Sequence, residues 1–94
     1  MIILAALSSD ELKAICEAGE SAAREYILSR VDKRLIRHLS ISIATEKKKG
    51  ITFSADIDLD LEPVLDVSAE ELADMAAQVA LDSIDDKMRG RNIG

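Results

Sequence analysis

The chain has 94 residues, 48% hydrophobic and 32% charged, with a formal net charge of -6. That is the length of one small domain, apolar enough to exclude a disordered chain, and the acidic balance argues against nucleic acid as its main partner. One cysteine excludes an internal disulfide and fits a reducing cytoplasm, and with Tyr26 and Phe53 as the only aromatics the core must be aliphatic.

The opening run from Met1 to Leu7 is apolar but lacks a basic leader and a small-residue cleavage site. It is too short to cross a membrane and is not a signal peptide. Residues 2–6 are expected to form a short strand. Ser8-Ser9-Asp10-Glu11 then reads as a capping box flanked by Leu7 and Leu12 as a hydrophobic staple. The helix that it opens should run to about Arg30. Leu12, Ile15, Cys16, Gly19, Ala22, Ala23, Tyr26 and Ile27 follow the spacing of one buried stripe. Ala14, Ala18 and Ala22 form a small-residue ridge beside it, and with Gly19 they let a second helix approach closely.

Residues 30–38 read as a basic connection. An alternating hairpin over residues 39–61 follows. Leu39, Ile41, Ile43, Ile51, Phe53, Ala55, Ile57, Leu59 and Leu61 share one face, while Ser40, Ser42, Thr52, Ser54, Asp56, Asp58 and Asp60 share the other. Such alternation marks half-buried strands. Glu46-Lys47-Lys48-Lys49-Gly50 reads as the loop, which places Thr45 opposite Ile51, Ile43 opposite Phe53 and Ile41 opposite Ala55. Pro63 ends the second strand. Val67-Ser68-Ala69-Glu70-Glu71-Leu72 repeats the capping pattern and opens a second helix. Leu72, Met75, Ala76, Val79 and Ser83, with Ala80 beside them, lie on one stripe of that helix. Ala73, Ala77, Leu81, Ile84 and Met88 lie on another. Together they cover more circumference than one sheet needs. Residues 89–94 read as a frayed tail.

Three groups of residues are candidates for function. Arg30, Lys33, Arg34, Arg37, Lys47, Lys48 and Lys49 make the middle of the chain basic, whereas carboxylates dominate after Gly50. An anionic partner such as RNA would use these cations. The plainer reading is a solvated loop at a helix C-terminus, since no aromatics interleave to stack bases. Asp56, Asp58, Asp60 and Glu62 put a row of carboxylates on one strand face, a candidate docking strip or hard-cation site. A calcium loop is ruled out by Leu61 and Val67 at its glycine and closing-glutamate positions, and the opposite strand offers Ser40, Ser42 and Ala44 with no cation. A solvated face that protects an edge strand is preferred. Leu28 falls opposite the buried stripe of the first helix, and Leu81 and Met88 lie on the second stripe of the other helix; the three are candidate dimer contacts. His38 is expected at the surface and Cys16 in the core as an inert thiol. No phosphate loop, dinucleotide motif, zinc spacing or catalytic triad is present.

The pieces Leu7 to Leu12, Ile57 to Pro63 and Ala69 to Arg89 resemble a family of small archaeal proteins of unknown function. The resemblance implies an archaeal, cytoplasmic α+β protein and carries no catalytic residues. The strand-strand-helix half is also similar in topology to the small dimeric subunit of the archaeal tRNA-threonylcarbamoylation complex, although fold does not determine function. The expected architecture is a single α+β domain over residues 1–94, a two-layer (β)-α-β-β-α arrangement with both helices on one face of a small antiparallel hairpin. The expected function is a non-catalytic, self-associating protein-protein interaction module without cofactor or membrane contact. An RNA-binding or tRNA-modification accessory role for the basic segment is the alternative.

Overall fold

The computed structural model describes residues 8–47 and 50–93. The strand expected over residues 2–6, and Leu7 of the expected staple, lie outside them. Four main elements follow in order: α1 (Ser9–Arg30), β1 (Ile36–Lys47), β2 (Ile51–Leu61) and α2 (Ala69–Ile93). This is the expected α+β arrangement, with both helices on one face of an antiparallel hairpin.

Local chemistry explains where each helix begins. The Glu11 amide donates to Ser8 Oγ at 3.1 Å, and the Ser8 amide donates to Glu11 Oε1 at 3.0 Å, which completes the capping box. At α2 the Glu71 amide donates to Ser68 Oγ at 3.2 Å. Asp32 caps a short 3-10 turn, Lys33–Leu35, that swings the chain from α1 into β1. Residues 90–93 continue α2, beyond the point where the tail was expected to begin.

The hairpin departs from expectation at both ends. It pairs Lys47 with Ile51, Thr45 with Phe53, Ile43 with Ala55 and Ile41 with Ile57. β1 is longer than expected at both ends, β2 spans the expected residues, and only positions 48–50 lie between them. Shifting the register by two residues keeps every side chain on its face, so the hydrophobic pattern cannot tell the two pairings apart. Gly50, at φ +136°, adopts a backbone conformation that favours glycine and permits the tighter turn. At the other end β1 starts at Ile36, inside the expected connection. A bulge at Arg37 lies between the Ile36–Leu61 and His38–Asp60 pairs. The inserted residue spaces Ile36 and Leu39 three apart, which conceals the strand from a period-two reading. The Glu62 amide, donating to the Leu35 carbonyl at 2.9 Å, closes this end.

The core lies mainly between the helices. Ala23, Ile27, Ala76 and Ala80 are fully buried, with Val31, Leu61 and Leu72 packed into the same cluster. Gly19 of α1 lies against Ile84 and Ala80 of α2, and Tyr26 lies against Met75, so the helices run antiparallel. The alanine ridge only flanks this contact: Ala14 is exposed, and Ala18 and Ala22 are half-buried. The buried line of α2 is Leu72, Ala76, Ala80 and Ile84. It straddles the two expected stripes and leaves Met75 56% exposed, with its sulfur accepting the Tyr26 hydroxyl at 3.4 Å.

The close approach at Gly19 makes a direct prediction. A Cβ there would lie 2.8 Å from Ile84 Cδ1 and 3.3 Å from the Ala80 carbonyl oxygen. Alanine favours a helix over glycine by about 1 kcal/mol, whereas overpacking costs about 1–3 kcal/mol. Ile84 is 2% exposed and has little room to turn away. Gly19→Ala should therefore destabilise the protein despite its better propensity, and the loss should shrink in an Ile84→Val background, which removes the nearest atom. Urea unfolding of the double-mutant cycle measures this. A stabilised Gly19→Ala would contradict the packing described.

Candidate functional site

The structure divides the basic segment rather than gathering it. Arg30, Lys33, Arg34 and Arg37 lie around the joint between α1 and β1, and Lys47 lies at the far end of β1. At about 3.3 Å per strand residue the two groups are roughly 35 Å apart. Lys48 and Lys49 lie outside the described residues. Most cations at the joint already have partners. The Arg34 guanidinium holds Asp32 through Nε at 3.3 Å and a terminal nitrogen at 2.9 Å. Arg30 stacks on the Tyr26 ring at 5.0 Å. Arg37 Nε is 3.8 Å from Asp60, and Arg24 pairs with Glu20 at 3.2 Å. Beside the start of β1, Arg24, Lys33, Arg37 and His38 border an open groove of about 350 Å³ whose apolar lining is Leu28, Ile36 and Leu39.

The acidic row is partly neutralised, which corrects the expectation that no cation opposes it. Asp56 pairs across the ladder with Ser42, Asp58 with Ser40 and Asp60 with His38. Because β1 begins three residues early, Arg37 reaches Asp60, and His38 Nε2 lies 3.5 Å from Asp58 Oδ2. Glu62 lies beyond the strand end, so the row on β2 consists of the three aspartates. Alternate strand residues stand about 7 Å apart, too far for several to share one ion. Among the described residues no three His, Cys, Asp or Glu side chains converge into a metal site.

Leu28, Leu81 and Met88 do not share one surface. Leu28, 41% exposed, belongs to the basic groove. Leu81 and Met88 lie at the opposite end, where they join Ile51, Phe53 and Ile84 around an open depression of about 480 Å³. Asp85 and Arg89, ion-paired with each other, border it. Sequence reasoning did not connect Ile51 and Phe53 with Leu81. Their alternation had assigned them to the inward face, but only the packing of α2 along β2 brings the two apolar sets together. Cys16 is half-buried with Sγ 3.6 Å from Thr45 Oγ1, not enclosed in the core as expected.

The model of the family described as "Protein of unknown function (DUF3194)" matches residues 4–87. The chain belongs to this family. The fold is similar to that of the hypothetical protein mth677 from Methanothermobacter thermautotrophicus, with a TM-score of 0.78 at 21% identity over 89% of this chain and 91% of that one. It is also similar to a crystal structure from Thermococcus onnurineus NA1, with a TM-score of 0.76 at 17% identity over 89% of this chain and 82% of that one. Both organisms are archaea, in keeping with the resemblance seen in the sequence. At these identities the likeness is one of fold. No curated protein matches the chain.

His38 and Asp58 are both exposed, and Cys16 faces a threonine hydroxyl instead of a base. No helix among the described residues is long and apolar enough to cross a membrane. The electrostatic feature with a clear titration is Asp32. Its side-chain bonds to Arg34, then the bond from the Arg34 amide, hold the carboxyl below the ordinary aspartate range, and the same contact raises Arg34. A depressed carboxylate pKa adds stability that is present above the unfolded-state value and is lost as pH falls through the folded-state value. The 3-10 turn should therefore loosen in acid, below about pH 4. NMR titration of the Asp32 carboxyl should give a midpoint below that of an unfolded-peptide aspartate, and Arg34→Gln should raise it. A midpoint insensitive to Arg34 would show that the contact does not hold in solution.

Proposed function

We propose that the protein is a non-catalytic protein-protein interaction module that associates with itself in a reducing compartment. The observation that carries this reading is the apolar depression formed by Ile51, Phe53, Leu81 and Met88. Support comes from the hairpin. Leu39, Ile41, Ile43, Ala55, Ile57 and Leu59 point towards the helices, yet all stay half-buried, and Leu61 is the buried residue of β2. Two helices do not cover the apolar side of so long a hairpin, and the uncovered part lies where β2 begins and α2 continues. A second copy related by a twofold axis would set the same patch against itself, the commonest way to close such a surface. The ion pair between Asp85 and Arg89 at its border is the polar rim that interfaces use to exclude water.

Leu81→Asp places a charge in this contact and should weaken a dimer by roughly 1–3 kcal/mol. Light scattering coupled to gel filtration reads the mass directly. The dimer should have twice the 10.2 kDa chain mass, with the variant shifted towards monomer. A mass of one chain at about 100 µM, corresponding to association weaker than about 5–6 kcal/mol, would refute self-association.

A further inference from the structure

The apolar depression and the start of α1 lie at the same end of the molecule. Glu11, Ala14, Ile15 and Ala18 share a groove with Lys87, the neighbour of Met88. Cys16 meets Thr45, whose partner across the ladder is Phe53. Gly19 lies against Ile84, which lines the depression from α2. The chain enters this end at Ser8, where the backbone is extended at φ -81° and ψ 167°. Before Ser8 come Met1-Ile2-Ile3-Leu4-Ala5-Ala6-Leu7, without a charged side chain. Leu4 to Leu7 fall within the family match, so they belong to the domain.

Reach decides where such a segment can go. Ser8 lies about 16 Å beyond Gly19 along α1, at roughly 1.5 Å per residue. Because α2 runs the other way, Met88 lies about 6 Å beyond Ile84 in the same direction. Packed helices have axes about 8–10 Å apart, which leaves roughly 13–14 Å from Ser8 to Met88. Four extended residues span about 13–14 Å, so Leu4 reaches the depression and Ile2 and Ile3 reach across it. The chemistry matches as well. The segment and the lining are both apolar, and Asp85 and Arg89 at the rim neutralise each other.

We propose that residues 2–4 seat on Ile51, Phe53, Leu81 and Met88 of the same chain. The proposal rests on the self-association reading in one respect: the segment and a second copy use the same surface, so they compete. Occupation from within the chain has the advantage of proximity, since a tether of a few residues holds the segment at an effective concentration of about millimolar. A second copy must displace it from both partners before the two patches meet. The segment is thus an internal brake. It keeps an apolar patch covered when copies are scarce and yields it as they accumulate.

Nuclear Overhauser effects in the methyl-labelled full chain test the contact. Ile2, Ile3 and Leu4 should show cross-peaks to Ile51, Leu81, Met88 and the Phe53 ring. In a mixture of labelled and unlabelled chains, isotope filtering should place these cross-peaks within one chain. The variant Ile3→Asp/Leu4→Asp should lose them and associate more tightly than the parent. With the segment on each depression about half to two-thirds of the time, freeing both copies lowers the dimer Kd about four- to ninefold. Light scattering over a dilution series reads that shift. Cross-peaks to Ala14 and Ala18 in place of Leu81 and Met88 would put the segment in the groove between the helices and overturn the inference. So would cross-peaks found only between chains, which mean an exchanged arm, or none to the depression at all. A variant dimer no tighter than the parent would overturn the brake. If parent and variant both stay single chains at about 100 µM while the intrachain cross-peaks are present, docking holds and the self-association reading alone fails.

Discussion

The close approach of α1 to α2 at Gly19 is the contact on which the rest of the molecule depends. No side chain separates the helices there, and Ile84 fills the space that a Cβ would need. The fully buried residues Ala23, Ile27, Ala76 and Ala80 follow along the same seam. Small side chains bury little area each, so a core of this kind relies on backbone proximity and density instead of bulk. The hairpin could not replace it, because two strands in isolation are marginal. Its apolar face is stable only as a roof over the helix pair.

That dependence shapes the surface. Strands and helices of these lengths make an elongated body of 50 × 23 × 19 Å. An elongated body exposes more surface for its volume than a sphere, so residues that alternate towards the helices remain half-buried along the hairpin. The shortfall is visible at both ends. At one end Leu81 and Met88 meet Ile51 and Phe53 in a depression; at the other Leu28 meets Ile36 and Leu39 in a groove. The two surfaces differ in charge. The depression carries one balanced ion pair, whereas the groove is bordered by Lys33 and by Arg24 and Arg37, which pair with Glu20 and Asp60.

Charge is arranged by the bulge as much as by the sequence. With the bulge at Arg37, residues 36–38 of the expected connection join the strand, and Arg37 and His38 come within reach of the aspartates of β2. Exposed ion pairs of this type contribute at most about 1 kcal/mol each. Their effect is positional. Without them the carboxylates would repel one another along the strand, and the same two residues also border the groove on the β1 side.

The sequence by itself determined the elements, because their signals are local. The Ser8–Glu11 box, the Ser68 cap, the two-residue alternation of the strands and the three-to-four spacing around Gly19 each involve neighbours within a few residues. It also located Gly19 as a point of approach and Leu28 as an exposed leucine. The tertiary structure alone decided whatever joins distant segments. A slip of two residues leaves each strand's faces unchanged, so only assembly could choose the pairing of Thr45 with Phe53. Two apolar stripes on α2 were legible, but which line between them would be buried depended on where α1 and β2 lay, and Met75 was left outside. The basic segment read as continuous although an extended strand separates its halves, because distance along a chain becomes distance in space only when the conformation between is known. The depression and the groove both join residues from separate elements, which is why neither was visible as a motif.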